Sequence, residues 1–170
     1  MLAAAKLEDC PGYIQKMNHK ETLVNDTEHW QGLRPPLSPN AEEIGIYADL
    51  VRGMKPVCLL GMTKELVPLC DYMADLNPIE APKKILKCDW MDMEEPSDAI
   101  MGDGVLNLAG MVLVDRMRRL CNRLICRVFT RKLPGMKYAQ NFPNEFPEAD
   151  LVVRTQEDVV IVAWKGLRLP

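Results

Sequence analysis

Apolar residues recur with two different spacings in the part of the chain that follows residue 40. Between Ile44 and Val51 they recur three or four positions apart, which is the spacing of one face of a helix. Asn40 can cap this helix, because Glu43 stands three positions later in the arrangement of a capping box. A glycine, Gly53, follows the last apolar position. The pattern therefore predicts a helix between Asn40 and Gly53.

Short continuous apolar runs alternate with further helical stretches and predict a buried sheet. Strands are predicted at Pro56–Gly61, Lys84–Cys88, Ser97–Met101 and Arg123–Phe129, with a closing hairpin of Asp150–Arg154 and Val159–Trp164. Helical spacing returns at Lys64–Leu69, which Thr63 can cap, and at Leu106–Cys121, whereas Tyr72–Asp75 fits either a strand or the tail of a helix. Strands that alternate with helices favour a three-layer α/β fold with a mostly parallel sheet and an antiparallel C-terminal edge.

The first 39 residues differ from the rest of the chain. They are polar and weakly periodic, with Trp30 as an expected anchor onto the body, and they end in a proline-rich strap at Leu33–Asn40. Each proline fixes φ and keeps its predecessor out of the helical region, so the strap is expected to be extended. The sequence thus predicts an N-terminal arm, residues 1–39, and a single domain, residues 40–170.

Composition and charge exclude several classes of protein. With 170 residues, 48% of them hydrophobic and 26% charged, the chain is expected to fold as one soluble domain. A formal net charge of −3 argues against a surface built throughout to hold nucleic acid. No run approaches the roughly 18 apolar residues that a membrane helix needs, and the N-terminus does not have the pattern of a signal peptide.

The cysteine and histidine spacing gives no indication of a metal site. No two of the six cysteines have C-x-x-C spacing, and His19 and His29 lie in the polar arm without a carboxylate or cysteine cluster beside them. The six are Cys10, Cys58, Cys70, Cys88, Cys121 and Cys126. Thiols in apolar runs behave as small hydrophobes, so we expect reduced, buried cysteines in a reducing, cytoplasmic compartment.

Glycine and acidic residues follow the predicted strands. In an open α/β sheet, ligands bind at the carboxyl ends of the strands, where Gly61, Asp75, Asp89 and Asp103 would lie. Gly61 lets a ligand approach the backbone, and the N–H groups of the next two residues, Met62 and Thr63, can receive a carboxylate. An acid after the second strand can accept both hydroxyls of a ribose. This pattern suits a nucleoside that carries an amino-acid tail.

The segments around Trp90 and Asp103 add to this pattern. Asp89 with Trp90 offers an acceptor for an exocyclic amine and an apolar surface for a base, and Gly102 and Gly104 on either side of Asp103 indicate unusual backbone freedom or a close ligand. Each feature also has a purely structural interpretation. A glycine commonly closes a strand, an acid after a strand often caps a helix, and a tryptophan often covers a core.

Three segments in this order resemble a branch of the class I S-adenosylmethionine-dependent methyltransferases, whose fold is Rossmann-like. They are Leu59-Leu-Gly-Met-Thr-Lys-Glu-Leu66, Cys88-Asp-Trp90 and Asp98-Ala-Ile-Met-Gly-Asp-Gly104, preceded by Trp30 and Arg34-Pro-Pro-Leu-Ser-Pro-Asn40. In that branch the first motif reads like L-L-G-V-T-P-E-L. The resemblance covers roughly Trp30 to Phe129. Only about a dozen residues separate Gly61 from Asp75, so the helix or strand between these motifs is expected to be abbreviated.

The resemblance implies transfer of a methyl group from S-adenosylmethionine to an unidentified acceptor. It implies that Gly61, Met62 and Thr63 hold the methionine part of the cofactor, that Asp75 binds the ribose, and that Asp89 and Trp90 bind the adenine. Gly102 and Asp103 would complete the cofactor site, with Asp103 beside the sulfonium as a tentative catalytic residue.

Two other functions stay open at this stage. The stretch Arg116–Lys137 is basic, which can mark a binding face for RNA or another anionic partner, although such charges are ordinary on a solvated surface. The abbreviated first half also fits a catalytically inactive methyltransferase-like module that binds a protein or RNA. A second copy of the chain is a candidate to cover an exposed edge of so short a sheet.

Overall fold

Seven strands form one sheet in the computed structural model, which describes residues 37–77, 83–136 and 139–168. Across the sheet they run in the order β3-β2-β1-β4-β5-β7-β6. The strands are β1 (Val57–Leu60), β2 (Tyr72–Asp75), β3 (Lys84–Lys87), β4 (Ala99–Asp103), β5 (Arg123–Phe129), β6 (Leu151–Gln156) and β7 (Val159–Lys165). Neighbouring strands from β3 to β5 are parallel, whereas β7 is antiparallel to both β5 and β6. The predicted α/β sheet with an antiparallel C-terminal edge is confirmed.

The strand order reverses at β1. From β1 the chain moves outward to β2 and β3, then returns to the other side of β1 as β4 and continues to β5. Leu60 pairs with Ala74 of β2 on one side and with Gly102 of β4 on the other. A crevice forms beyond the carboxyl ends of the strands at such a reversal, and open α/β sheets bind their ligands there.

Helices cover both faces of the sheet, but several are short. They are α1 (Ala41–Leu50), α2 (Val105–Ala109) and α3 (Val112–Arg118), with single 3₁₀ segments at Lys64–Leu69 and Trp90–Asp92. The predicted capping box of α1 is confirmed, since the Asn40 side chain accepts from the Glu43 N–H and the Glu43 carboxylate accepts from the Asn40 N–H, both at 2.9 Å. One face packs against α1 and the first 3₁₀ segment, and the other packs against α2 and α3.

Three local predictions need correction. The helix expected over Leu106–Cys121 is two helices, because Gly110 ends α2 with φ 87°. Lys64–Leu69 is a 3₁₀ segment in which the Thr63 side chain forms no cap and Pro68 removes a backbone donor. The strand predicted from Ser97 starts later, and it runs on through Gly102 to Asp103. Tyr72–Asp75, which had two interpretations, is a buried strand.

The cysteines of the described residues are free thiols, as expected. Cys58, Cys70, Cys121 and Cys126 are buried and Cys88 is half-buried, whereas Cys10 lies outside the described residues, as do His19, His29 and Trp30. Burial raises the pKa of Cys70 and of Cys88 to about 11 and that of Cys121 to about 12, so these thiols stay protonated at neutral pH.

Two features are absent from the described part of the chain. No helix there is long and apolar enough to cross a membrane. Within the same ranges, no group of three or more histidine, cysteine and acidic side chains is placed to hold a metal ion.

Candidate functional site

The residues predicted to form the site lie along one edge of the sheet. Gly61 follows β1, Asp75 ends β2, Asp89 and Trp90 follow β3, and Asp103 ends β4. Because these strands are parallel and β1 lies between β2 and β4, their carboxyl ends are neighbours. The fold therefore brings together residues that are up to 42 positions apart in the sequence, Gly61 and Asp103 being the outermost pair.

Gly61 has a backbone conformation that favours glycine. Its φ is +87°, and its N–H donates to the Ala74 carbonyl of β2 at 3.1 Å. Among the described residues, a Cβ atom built at Gly61 would meet only the Trp90 ring within 4 Å, at 3.8 Å. The glycine is therefore required by the left-handed turn and leaves a largely open approach to the backbone. Met62 packs against the apolar cluster under α1, and the Thr63 carbonyl accepts from the Leu66 N–H.

Trp90 is part of the core as well as of this edge. Its side chain is buried in the cluster under α2 and α3, and its indole N–H donates to the Ala74 carbonyl at 2.9 Å. Asp89 caps the 3₁₀ segment through a 2.9 Å hydrogen bond from the Met91 N–H. Both residues thus have structural roles at the place where the sequence predicts an adenine site.

Asp75 and the glycines around Asp103 are also engaged by their neighbours. Asp75 is buried and accepts from the Asn77 N–H at 3.1 Å. A Cβ at Gly102 would lie 2.4 Å from Val105 Cγ2, so close packing of α2 on β4 requires a glycine there. Gly104 precedes α2 with φ +74°, which allows the chain to turn from the strand into the helix.

Asp103 belongs to a buried charge cluster with Arg127 of β5 and Glu43 of α1. Arg127 Nη1 donates to Asp103 Oδ1 at 2.9 Å, and Arg127 Nε lies 3.0 Å from Glu43 Oε1. The side chains of Arg127 and Glu43 are completely buried, and that of Asp103 is 7% exposed. Arg127 also donates to the carbonyls of Leu37 and Ser38 at 3.4 and 3.3 Å, which fastens the end of the proline-rich strap to the sheet.

Burial and mutual attraction shift the pKa values of this cluster in different directions. Burial raises the pKa of Asp103 to about 6 although Arg127 opposes the shift. Burial also acts to raise the pKa of Glu43, but the charge of Arg127 and hydrogen bonds from Thr155, Asn40 and Gln156 outweigh it and leave that pKa lowered. The two carboxylates hold the pKa of Arg127 above its ordinary value in spite of burial.

Asp103 should give the stability of the protein a measurable pH dependence. Its pKa in the folded state, about 6, lies above the ordinary value of 3.8, so the folded protein binds this proton more tightly than the unfolded chain. The contribution of Asp103 to stability is therefore greatest below about pH 4 and is lost as pH rises through about 6. In Asp103→Asn this loss disappears, and the difference in unfolding free energy between wild type and variant should change by about 2 to 3 kcal/mol across that window.

Urea unfolding of both proteins between about pH 3.5 and 7.5 measures this difference. Asp92→Asn, at an exposed acid on the same edge of the sheet, is the matched control. A difference between wild type and Asp103→Asn that does not change with pH would contradict the assignment.

Three further residues at this edge, Glu43, Tyr47 and Arg127, are not predicted to lie there by the sequence pattern. Glu43 was interpreted only as a capping residue, and Tyr47 only as an apolar position, although its hydroxyl donates to the Gly102 carbonyl at 2.6 Å. Arg127 was counted in a basic stretch. A charged residue inside an otherwise continuous apolar strand was the available signal, because such a charge must find a partner in the core.

Several charges of the basic stretch Arg116–Lys137 are engaged by the protein itself. Arg127 is buried in the cluster described above, Arg118 is buried against Glu148 at 2.7 Å, and Arg131 pairs with Asp158 at 2.7 Å. Arg116 and Arg123 donate to backbone carbonyls, and Lys137 lies outside the described residues. Binding of RNA or another anionic partner by this stretch therefore stays a prediction, to which the buried side chains of Arg118 and Arg127 are not available.

A buried amide, Asn107, fixes the segment that follows β5. Its side chain accepts from the Phe129 N–H and donates to the Phe129 carbonyl, both at 2.9 Å, and it also donates to the Asn141 carbonyl. The Asn107 carbonyl accepts from the N–H groups of Gln140 and Asn141 at 2.8 and 3.1 Å. α2, the end of β5 and the start of the connection to β6 are thus held together beside Asp103.

Comparison by sequence gives no match to a protein-family model and none to a curated protein. Solved structures do match. The magnesium protoporphyrin IX methyltransferase of Synechocystis PCC 6803, with bound S-adenosylhomocysteine, is 12% identical over 85% of this chain and 98% of its own, with a TM-score of 0.54. The 1,6-didemethyltoxoflavin N1-methyltransferase of Burkholderia thailandensis, which also holds S-adenosylhomocysteine, is 14% identical over 90% and 92% of the two chains, with a TM-score of 0.56. The strand order and these matches show that the chain has the fold of the class I S-adenosylmethionine-dependent methyltransferases.

Proposed function

We propose that this protein is an S-adenosylmethionine-dependent methyltransferase whose cofactor site is the carboxyl edge of β1 to β4. The observation that carries the proposal is the reversal of strand order at β1, with Gly61, Asp75, Asp89 and Asp103 on the four strand ends that surround it. Similarity of fold to methyltransferases that hold S-adenosylhomocysteine supports the choice of cofactor. The methyl acceptor is not assigned.

The residues at this edge fit the parts of the cofactor. The open approach to the Gly61 backbone suits the amino-acid part, with Met62 and Thr63 beside it. Asp75 is the proposed partner of the ribose hydroxyls, and its present burial requires a small local opening for that contact.

The remaining contacts lie on β3 and β4. Asp89 and the edge of Trp90 would bind the adenine, and Gly102 and Asp103 lie at the end of β4 toward the reacting group. Asp103 is well suited to a cationic centre, because its carboxylate is nearly buried and only one of its oxygens is bonded to Arg127.

The bound cofactor would supply an electrophilic methyl group on a sulfonium. The chain's own contribution is to hold the two reactants at near-attack distance, which is a large part of catalysis in such transfers. With a pKa of about 6, Asp103 is mostly ionised at neutral pH, so it can orient a nucleophile by accepting its hydrogen bond or take up its proton. Arg127 donates to Asp103 Oδ1 at 2.9 Å and so holds this carboxylate in place.

Calorimetric titration with S-adenosylmethionine and S-adenosylhomocysteine tests the proposal. We expect saturable binding by the wild type and at least about tenfold weaker binding by Asp89→Ala, because a hydrogen bond from a neutral ligand group to a charged acceptor contributes about 1.5 to 3 kcal/mol. Asp92→Ala removes an exposed acid three residues further on and should bind as the wild type does.

If the folded wild-type protein bound neither ligand, the proposed methyltransferase activity would be refuted and a methyltransferase-like interaction module would be favoured. Equal weakening in both variants would instead refute the specific role of Asp89.

We also propose the cytoplasm as the place of action, because the described cysteines are free thiols.

A further inference from the structure

Counted over the described residues, the charges of the buried cluster beside the proposed cofactor site are not balanced. It contains two carboxylates, Glu43 and Asp103, and one guanidinium, Arg127, and each of the three side chains is more than nine-tenths buried. At neutral pH its formal charge is therefore −1. A buried charge without a counter-charge costs free energy, so it matters which side chain carries the excess.

The excess negative charge lies on Asp103. Both oxygens of Glu43 have partners, because Oε1 contacts Arg127 and the Asn40 N–H, while Oε2 accepts from Thr155 and Gln156. Asp103 Oδ1 accepts from Arg127. Among residues 37–77, 83–136 and 139–168, no donor reaches Asp103 Oδ2. One oxygen of a nearly buried carboxylate at the end of β4 is thus left without a donor from these residues.

We propose that Arg127 is a positioning residue that fixes the Asp103 carboxylate and keeps it ionised, so that its second oxygen selects a cationic ligand over the neutral form of the same ligand. The inference rests on the proposed function in one respect, namely that the ligand used to detect it is a sulfonium. The charge state of Asp103 can be measured without any ligand.

Groups from every element packed around Asp103 contribute to its charge state. Arg127 of β5 favours ionisation, whereas Glu43 of α1 and Glu65 of the first 3₁₀ segment oppose it. Tyr47 of α1 and Cys126 of β5 also lie nearby, but burial raises the pKa of each far enough to keep it neutral at neutral pH. Among the described neighbours of Asp103, Arg127 therefore supplies the positive charge that lowers its pKa.

Titration of the Asp103 side chain by carbon NMR, assigned with Asp103→Asn, tests the first half of the proposal. Loss of the positive charge in Arg127→Met should move the midpoint upward, and loss of the competing negative charge in Glu43→Gln should move it downward. Arg127→Lys keeps the charge and should lie between wild type and Arg127→Met. Arg131→Met, which removes an exposed ion pair just beyond β5, is the control and should leave the midpoint unchanged.

Opposite shifts cannot come from general loosening, because both substitutions disturb the same buried contacts. Shifts of the same sign in Arg127→Met and Glu43→Gln, or none in either, would overturn the positioning role. If Arg127→Met does not fold, the other two variants decide the question. The titration midpoint of Asp103 must then shift upward, by a smaller amount, in Arg127→Lys and downward in Glu43→Gln.

The ratio of affinities for S-adenosylmethionine and S-adenosylhomocysteine tests the second half. The two ligands differ in the methyl group and its positive charge, so the ratio isolates the interaction with that charge. It should rise with pH through about 6 in the wild type, and at pH 7 it should fall about tenfold in Asp103→Asn. Binding of both ligands with a ratio unchanged by pH and by Asp103→Asn would overturn the selection of a cation. Binding of neither ligand would refute the proposed function, while the NMR shifts would still test whether Arg127 positions and ionises the Asp103 carboxylate.

Discussion

Replacement of Trp90 by alanine is expected to destabilise the protein by about 3 to 5 kcal/mol, the range for deletion of a large aromatic side chain from a core. The indole is 5% exposed, packs into the cluster under α2 and α3, and donates to the Ala74 carbonyl of β2. Its loss would leave a cavity at the carboxyl ends of β1, β2 and β3. Urea unfolding followed by circular dichroism measures the change, since an unaltered m-value identifies a loss of stability alone.

Trp90→Phe is the matched control for that experiment. Phenylalanine fills most of the volume but lacks the N–H, and the Ala74 carbonyl keeps its hydrogen bond from Gly61. We therefore expect Trp90→Phe to lose about 1 to 2 kcal/mol. If Trp90→Ala were no less stable than Trp90→Phe, the indole would not be part of the core, and an exposed position for stacking on a ligand would be the better description.

Replacement of Arg127 by methionine is expected to cost about 3 to 5 kcal/mol at pH 7, because it leaves two buried carboxylates without their counter-charge. The cost should be smaller near pH 5, where Asp103 with its pKa of about 6 becomes protonated and no longer needs a partner. Urea unfolding at both pH values measures the difference. A second change, Asp103→Asn, made in the Arg127→Met background should recover part of the loss at pH 7 for the same reason.

Arg131→Met gives the comparison at the surface. Arg131 pairs with Asp158 at 2.7 Å, but its side chain is 67% exposed, so we expect a change of less than about 1 kcal/mol. A similarly small effect in Arg127→Met would show that Glu43 and Asp103 do not need this counter-charge, because they become protonated or reach solvent in the variant.

Local patterns were sufficient to predict most of the sheet. Apolar runs identified β1, β4 and β5, the short stretch Lys84–Cys88 identified β3, and two segments around the polar turn Gln156-Glu157-Asp158 identified the hairpin of β6 and β7. The helix α1 followed from its apolar spacing and the Asn40–Glu43 box. The break at Gly110 was not predicted, because the apolar spacing continues across it and a single glycine inside a helical pattern is often tolerated, whereas in the structure Gly110 ends α2 with φ 87°.

The positions of the candidate site residues could be predicted only at the ends of strands. Gly61, Asp75, Asp89 and Asp103 could be placed because each follows or closes an apolar run. Glu43 and Arg127 are 84 positions apart, and no local spacing relates them. Their meeting depends on the packing of α1 against the centre of the sheet, which brings Tyr47 to Gly102 as well. Pairings of this kind arise from topology and are not visible in a window of sequence.

Glu43 has two tasks, since the same carboxylate completes the capping box of α1 and faces Arg127. Fraying of the first turn of α1 would therefore also separate Arg127 from one of its two acids. Local opening of a helix end normally requires little free energy, whereas here it is coupled to a buried ion pair in the sheet. The hydrogen-bonded amide protons of Glu43 and Ile44 in the first turn of α1 should thus exchange with solvent as slowly as those of a central strand, so that the start of this helix and the end of β4 open as one cooperative unit.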